Sequence, residues 1–515
     1  MFKQNQSHYK ITSKQPSRSA SRGPNADDDL DGLLSDVNFG NLDELISLRL
    51  STLLNDDDDA KSSSGGTTNN TSDQAKGSTI KFKLNSIPEI IKTLQKSRNE
   101  VSSQDRELLL NQLYYLIIKK PNLDQEYDDV DYETDLINLY KILQSSKSNE
   151  LILAIRAITA FIITNIDNAG ILYSEDKSLS ILDYLEKKII DLNLSISTRQ
   201  YLIYSYTALT LVIFDGSGGY GVESSLDFLL ETLLGITNNT ASNDLQSNIP
   251  IISSIIYGLG SLLTLLSENA NLNEIIENLL QSSSNLLTDY DILEINKPMS
   301  MLFGLCYEIF DYNDSIGDKI DDDDDDESEQ YNSPYDNTYE IKTRLEELIK
   351  SNTKKLSKKD KKEGRSVFRD VQTTINFYSN KESRLLKLSS KKSDQDDYQI
   401  QDELVLSHLK LSKSRSLAIK SWFAFFRLIQ LKWVFGSGLH NQLANNSRIG
   451  SIIRDKPNND YANKFNDELS GGDDDGEYWN DSRTNKLTHK KLDQAIDHRR
   501  KVKMNVGLEQ QGMLD

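Results

Sequence analysis

Apolar residues recur along this chain in paired segments, and that pairing limits the folds open to it. Leu, Ile and Tyr repeat at i, i+3 and i+4 over residues 86–97 and 102–119, 132–145 and 148–165, 176–193 and 195–214, 223–236 and 249–268, and 272–288 and 296–312. This is the period of a helix with one apolar face. The first members begin at 86, 132, 176, 223 and 272, so the steps are 46, 44, 47 and 49 residues. Two helices in a unit of that length are the signature of HEAT and armadillo repeats. The second member of a pair is usually the more apolar, as LILAIRAITAFIITN at 151–165 is beside ETDLINLYKILQ at 133–144. A helix apolar nearly all round belongs inside a stack, and its amphipathic partner lines a surface. Strand signals are weak, and the β-branched run Ile158–Thr164 sits inside a helical pattern. The expected fold class is therefore all-α. A HEAT/armadillo-like α-solenoid over 81–316 precedes a small helical C-terminal domain over 341–453, and acidic segments are disordered.

Charge divides the chain in a way its net value of -20 hides. Residues 1–340 hold 25 basic and 55 acidic side chains, whereas 341–515 hold 34 basic and 24 acidic. Only the second part is suited to a polyanion. Low-complexity sequence marks 1–80 as mostly disordered, with one amphipathic island at Leu42–Leu54. Like-charge repulsion keeps the run Asp321–Asp326 extended, so 317–340 reads as an acidic linker. Residues 454–515 read as a mostly disordered tail with a basic patch.

Several classes of chemistry find no support. The single cysteine, Cys306, gives no disulfide framework or cysteine-based zinc cluster and is expected to be buried and inert. His8, His408, His440, His489 and His498 show no metal-binding spacing, so no metal site is expected. The N-terminus lacks the apolar stretch of a secretory signal. Leu245–Ser267 is uncharged and long enough to span a bilayer, but its Ser, Asn, Thr and Pro content and its lack of basic flanks favour a buried helix, so no membrane association is expected. Gly216–Gly221 spells GSGGYG after an apolar run, yet no βαβ alternation surrounds it and a connector between helices is expected. The carboxylate pairs lie in solvated Asp runs, which supply neither rigid placement nor a tuned pKa. The expectation is a non-enzyme with no cofactor and no small-molecule substrate.

The informative segment is KSNTKKLSKKDKKEGRSVFRD at 350–370. Lys354, Lys355, Lys358, Lys359, Lys361, Lys362, Arg365 and Arg369 crowd into it. Two readings stand: a localisation signal or solvated basic linker, or a contact to a phosphate backbone that releases counterions. For Arg365 and Arg369 themselves, phosphate contact and a structural capping role weigh equally, and Phe368 reads as a packing anchor. A second basic patch, Arg499, Arg500, Lys501 and Lys503, lies near the C-terminus and is a candidate for folding on RNA. Trp422, Phe423, Phe425, Phe426 and Trp433 punctuate a helix that ends at Gly436-Ser437-Gly438, and at helical spacing they read as core.

These residues resemble a known family. A lysine-rich run followed by Arg365-Ser366-Val367-Phe368-Arg369-Asp370 resembles the R-S-x-F-R-D signature of the interferon-related developmental regulators. Trp422, thirteen further residues and then Gly436-Ser437-Gly438-Leu439 resemble that family's second signature. SQDRELLLNQL at 103–113 and STRQYLIYSYTAL at 197–209 are similar to openings of its helical repeats. The polar insertion Ser389–Gln401 and the acidic inserts at 321–328 and 467–477 depart from the pattern, and the tail is matched only in part.

The resemblance implies a non-enzymatic regulator. Family members are described as factors that bind translationally idle ribosomes and as transcriptional co-regulators acting with histone deacetylase complexes. Under the first role the basic C-terminal region meets ribosomal RNA and the protein regulates translation in the cytoplasm. Under the second the solenoid surface is a platform for protein partners, and a nuclear fraction is expected.

Overall fold

The computed structural model describes residues 86–121, 123, 129–173, 180–239, 245–313, 333–350, 358–390, 406–410 and 416–453, together with Val37. Leu42–Leu54, Asp321–Asp326 and the tail 454–515 lie outside the described residues. The described residues fall within one compact unit, Met1–Asn459.

The paired segments are paired helices. They are α1 (Ile87–Leu94) with α2 (Ser103–Lys119), α3 (Asp129–Ser145) with α4 (Ser148–Thr164), α5 (Ile181–Ile189) with α6 (Ile196–Phe214), and α7 (Glu223–Asn239) with α8 (Leu245–Leu263). In the fifth pair α9 (Leu272–Ser283) and the short α10 (Asn285–Thr288) precede α11 (Leu293–Ile309). The second helices pack in one row, α2 on α4, α4 on α6, α6 on α8 and α8 on α11. The row continues after residues 314–332, which lie outside the described residues. There α12 (Thr338–Lys350) pairs with α13 (Lys358–Tyr378), and α13 packs on α11. The fold is all-α, built as a helical-repeat array.

Local chemistry explains the pairing. The inner helices α2 and α6 each open on a serine N-cap: Ser102 accepts from the Asp105 N–H and Ser195 from the Thr198 N–H. One position further on, an arginine turns back to the preceding outer helix. Arg106 Nη1 donates to Leu94 O at 2.6 Å, and Arg199 Nε donates to Ile189 O at 2.7 Å. Each guanidinium thus meets carbonyls that a helix C-terminus leaves unpaired. Arg106 also joins two repeats. Its Nε lies 2.7 Å from Glu150 Oε1, and Arg98 Nη1 lies 2.8 Å from Glu150 Oε2. Side chains of Arg106 and Glu150 are 4% and 2% exposed, so removing either leaves a buried charge without its closest counter-charge.

After α13 come α14 (Lys381–Ser390) and a short antiparallel hairpin, β1 (Ser407–Lys410) with β2 (Ser416–Ile419), in register Ser407↔Ile419. The hairpin is the one departure from helix among the described residues that forms a sheet. Its strands are four residues each, too short for a period-2 signal to stand out.

Next, α15 (Trp422–Phe435) lies across the row of inner helices. Its N-terminus sits at the last pairs: the Trp422 N–H donates to Glu308 Oε2 at 2.7 Å, and Trp422 Nε1 to Thr374 Oγ1 at 2.9 Å. Its C-terminus sits at the first pair, where the Tyr114 hydroxyl donates to Val434 O at 2.9 Å. Between them Gln430 Nε2 donates to Ser261 Oγ and Gln430 Oε1 accepts from Thr207 Oγ1. Trp422, Phe423, Phe425, Phe426 and Trp433 are all buried, as expected of core aromatics. Each fully buried side chain of that size contributes about 1.5–3 kcal/mol before ordering costs. The helix ends at Gly436, whose φ is +48°, a region that favours glycine. After the Gly436–Gly438 turn, α16 (Leu439–Asn445) and α17 (Ser447–Ile452) close the described chain.

Other sequence expectations find direct answers. The span Leu245–Leu266 passes a membrane test by length and composition, but 83% of its most apolar window is buried inside the protein, so it is a core helix. Cys306 is buried, and burial pushes its thiol far above the ordinary range. Gly216–Gly221 joins α6 to α7 with φ positive at Gly216, Gly218, Gly219 and Gly221.

The buried polar contacts can be tested by substitution. Arg106→Met is expected to lower unfolding free energy by about 3 kcal/mol, and Arg106→Met/Glu150→Met to recover most of that stability, measured by urea denaturation. Thr374→Val removes the acceptor of the buried Trp422 indole and is expected to cost about 1–3 kcal/mol in the same assay.

Candidate nucleic-acid interface on α13

The basic segment and the family signature share one helix. Val367, Phe368, Val371, Thr374 and Ile375 are buried, and they recur at the 3–4-residue spacing of a single face. Gly364 lies on the same side, where an added Cβ would meet Leu293 Cδ1 of α11 at 3.3 Å. The opposite register positions are 358, 362, 366, 369 and 373, of which three are Lys or Arg and two are Ser and Thr, with Arg365 at their edge. Helical spacing therefore separates the segment into an apolar side against α11 and opposite register positions rich in Lys and Arg, a basic stripe in the sequence pattern.

The two arginines differ in setting. Arg369 is exposed and Arg365 is half-buried. They are four residues apart, so one turn of helix aligns them. Lys358, Lys359, Lys361 and Lys362 occupy the first turns of α13. Lys354, Lys355, Arg499, Arg500, Lys501 and Lys503 lie outside the described residues.

The rest of the signature is structural. Phe368 is 2% exposed and packs as an anchor. Ser366 is exposed and hydrogen-bonds the Asp370 carboxyl. Burial pushes Asp370 up to about 6, against the opposing influence of Arg369 and the Ser366 hydrogen bond. In the second signature Trp422 is 1% exposed, Ser437 is exposed, and an added Cβ on Gly438 would lie 2.7 Å from Ile118 Cβ. The Trp422–Thr374 hydrogen bond ties the second signature to α13 one turn beyond the first, a contact no spacing in the sequence announces.

The register groups several Lys and Arg positions along one helix, and those positions hold no aromatic for stacking. Such a surface answers a phosphate backbone rather than bases. Among the described residues no cluster of three His, Cys, Asp or Glu side chains is placed to hold a metal ion.

The Asp370 shift has a pH consequence. Its carboxyl binds a proton more tightly folded than unfolded, so ionisation costs stability, fully above about pH 6 and not at all below the ordinary Asp value near 3.8. Asp370→Asn is expected to raise the thermal midpoint at about pH 7.5 and to match the parent below about pH 4, read by calorimetry across that range.

Comparison with known proteins agrees with the first of the two signatures. The family described as interferon-related developmental regulator (IFRD) matches residues 51–376, which takes in the helical pairs and α13 through its R-S-V-F-R-D motif. No curated protein matches the chain significantly. The family is one of regulators and is not known for enzymes. With the match covering more than half of the sequence, the chain belongs to the interferon-related developmental regulator family.

Proposed function

We propose that this regulatory scaffold binds ribosomes through the basic stripe of α13, contacting ribosomal RNA phosphates and thereby regulating translation in the cytoplasm. The observation that carries the reading is where the lysines fall. Lys358, Lys359, Lys361 and Lys362 stand at the N-terminus of α13, the positive end of the helix dipole. Cations there oppose the dipole by about 0.3–1 kcal/mol each and repel one another at i, i+4. Asp360 and Glu363 offset only part of that cost. Helix stability therefore gives no reason for the cluster, whereas a polyanionic partner does. Lys354 and Lys355 extend the same run, and Arg499, Arg500, Lys501 and Lys503 supply a second basic segment in the proposed contact.

The alternative is a nuclear co-regulator that uses the helical array as a platform for protein partners. The inner row, where helical-repeat proteins commonly seat a ligand, is covered here by α15. That observation favours the ribosome reading.

Cosedimentation with purified ribosomes over a salt series tests the proposal. Binding is expected at low salt and to weaken steeply as salt rises. Arg365→Ala/Arg369→Ala should weaken binding and flatten the log–log salt slope by about 2, one unit for each phosphate the variant no longer neutralises. A structural role for the two arginines would instead lower the thermal midpoint and leave the slope unchanged. Protein that stays at the top of the gradient at low salt overturns the reading.

A further inference from the structure

We infer that Ser421–Ile453 is a built-in ligand of the helical array: a segment held in the inner groove by contacts alone, independent of the chain connection that delivers it. The groove is thereby occupied by the chain itself.

The first observation is a set of glycines that serve no turn. Gly260 and Gly304 stand inside α8 and α11, where glycine costs about 1 kcal/mol against alanine. An added Cβ on Gly260 would lie 2.2 Å from Phe426 Cε1, and one on Gly304 would lie 2.9 Å from Trp422 Nε1. Two inner helices thus give up a side chain where an aromatic ring of α15 enters. A surface open to exchangeable partners has no reason to carry slots shaped to two particular rings.

The second is the burial of α15. Every residue from Trp422 to Phe435 is buried except the half-buried Lys432. A helix docked on one face leaves a polar stripe in water, and this one leaves none.

The third is polar specificity along the segment. Arg427 lies 2.9 Å from Asp215 Oδ1 and donates to Thr264 Oγ1 and Thr264 O. Asn446 Nδ2 donates to Pro121 O and Thr164 O, and Gln442 Nε2 to Lys120 O. Glu308 accepts the first N–H groups of α15. These bonds fix register and direction, which the apolar contacts alone would not.

The family match ends at 376, before this segment begins. The folding unit of the array therefore extends beyond the matched repeats and takes its core helix from a separate part of the chain.

A cut chain tests the inference. A specific protease site is placed at Asp394–Asp397 in the full-length protein, which is purified folded and then cleaved. Size-exclusion chromatography at about 0.15 M and about 1 M salt should return the two pieces as one 1:1 species, since the contacts are mainly apolar and hydrogen-bonded. In the cleaved, still-folded complex Gly260→Ala should lower the urea concentration at which the two pieces part, and Gly260→Ala/Phe426→Leu should restore part of it. Pieces that part at either salt concentration overturn the inference. So does a cleaved Gly260→Ala complex whose pieces part at the parent's urea concentration. Because ribosome binding is not the readout, failure here leaves the lysine placement that carries the basic-stripe reading untouched and removes only its advantage over the platform reading.

Discussion

The structure depends on one segment answering the carbonyl ends of several helices. An α-helix leaves its last carbonyls without intrahelical partners, and the inner helices α2, α4, α6 and α8 bring such ends to the segment 427–448. Gln442 meets Lys120 O beyond α2, Asn446 meets Thr164 O at the end of α4, Arg448 meets Asp215 O beyond α6, and Arg427 meets Thr264 O beyond α8. The two arginines also place positive charge at the negative ends of helix dipoles. The donors for these carbonyls come from the C-terminal segment rather than from the next repeat. The repeats and the C-terminal element therefore stand as one unit.

Close approach is the second constraint. Helices that cross a filled groove need room for rings, and the array provides it by losing side chains at Gly260 and Gly304. The same economy appears at Gly438 against Ile118 and at Gly364 against Leu293. A glycine inside a helix weakens the local preference for that helix, and the tertiary contact compensates. Arg106 and Glu150 illustrate the polar counterpart, a buried pair that fixes how the first two repeats meet.

The R-S-V-F-R-D motif couples fold to proposed function because its residues divide between two sides of α13. Phe368 and its neighbours anchor the helix on α11, and Thr374, one turn beyond the motif, receives the Trp422 indole. Arg369 looks outward, and Asp370 is held where ionisation is disfavoured.

Much of this is legible in the sequence because helix periodicity is local. The five pairs can be read from apolar spacing, and the burial of Trp422 to Trp433 from the density of aromatics in one turn after another. The basic segment can be read as a cluster, and the 3.6-residue repeat of α13 then separates Lys358, Lys362 and Arg369 from the apolar positions. Other features depend on residues more than a hundred positions apart. Nothing near Gly260 announces Phe426, and nothing near Glu308 announces the N-terminus of α15. The hairpin at 407–419 is too short to show its period, and the raised Asp370 reflects the helices packed around it. Read alone, the chain specifies an all-α repeat array, a charge split and a family. That the array's groove is filled by its own chain emerges only from the packing. Apolar burial is non-directional and specifies that α15 must be covered, whereas shape and hydrogen-bond geometry specify where.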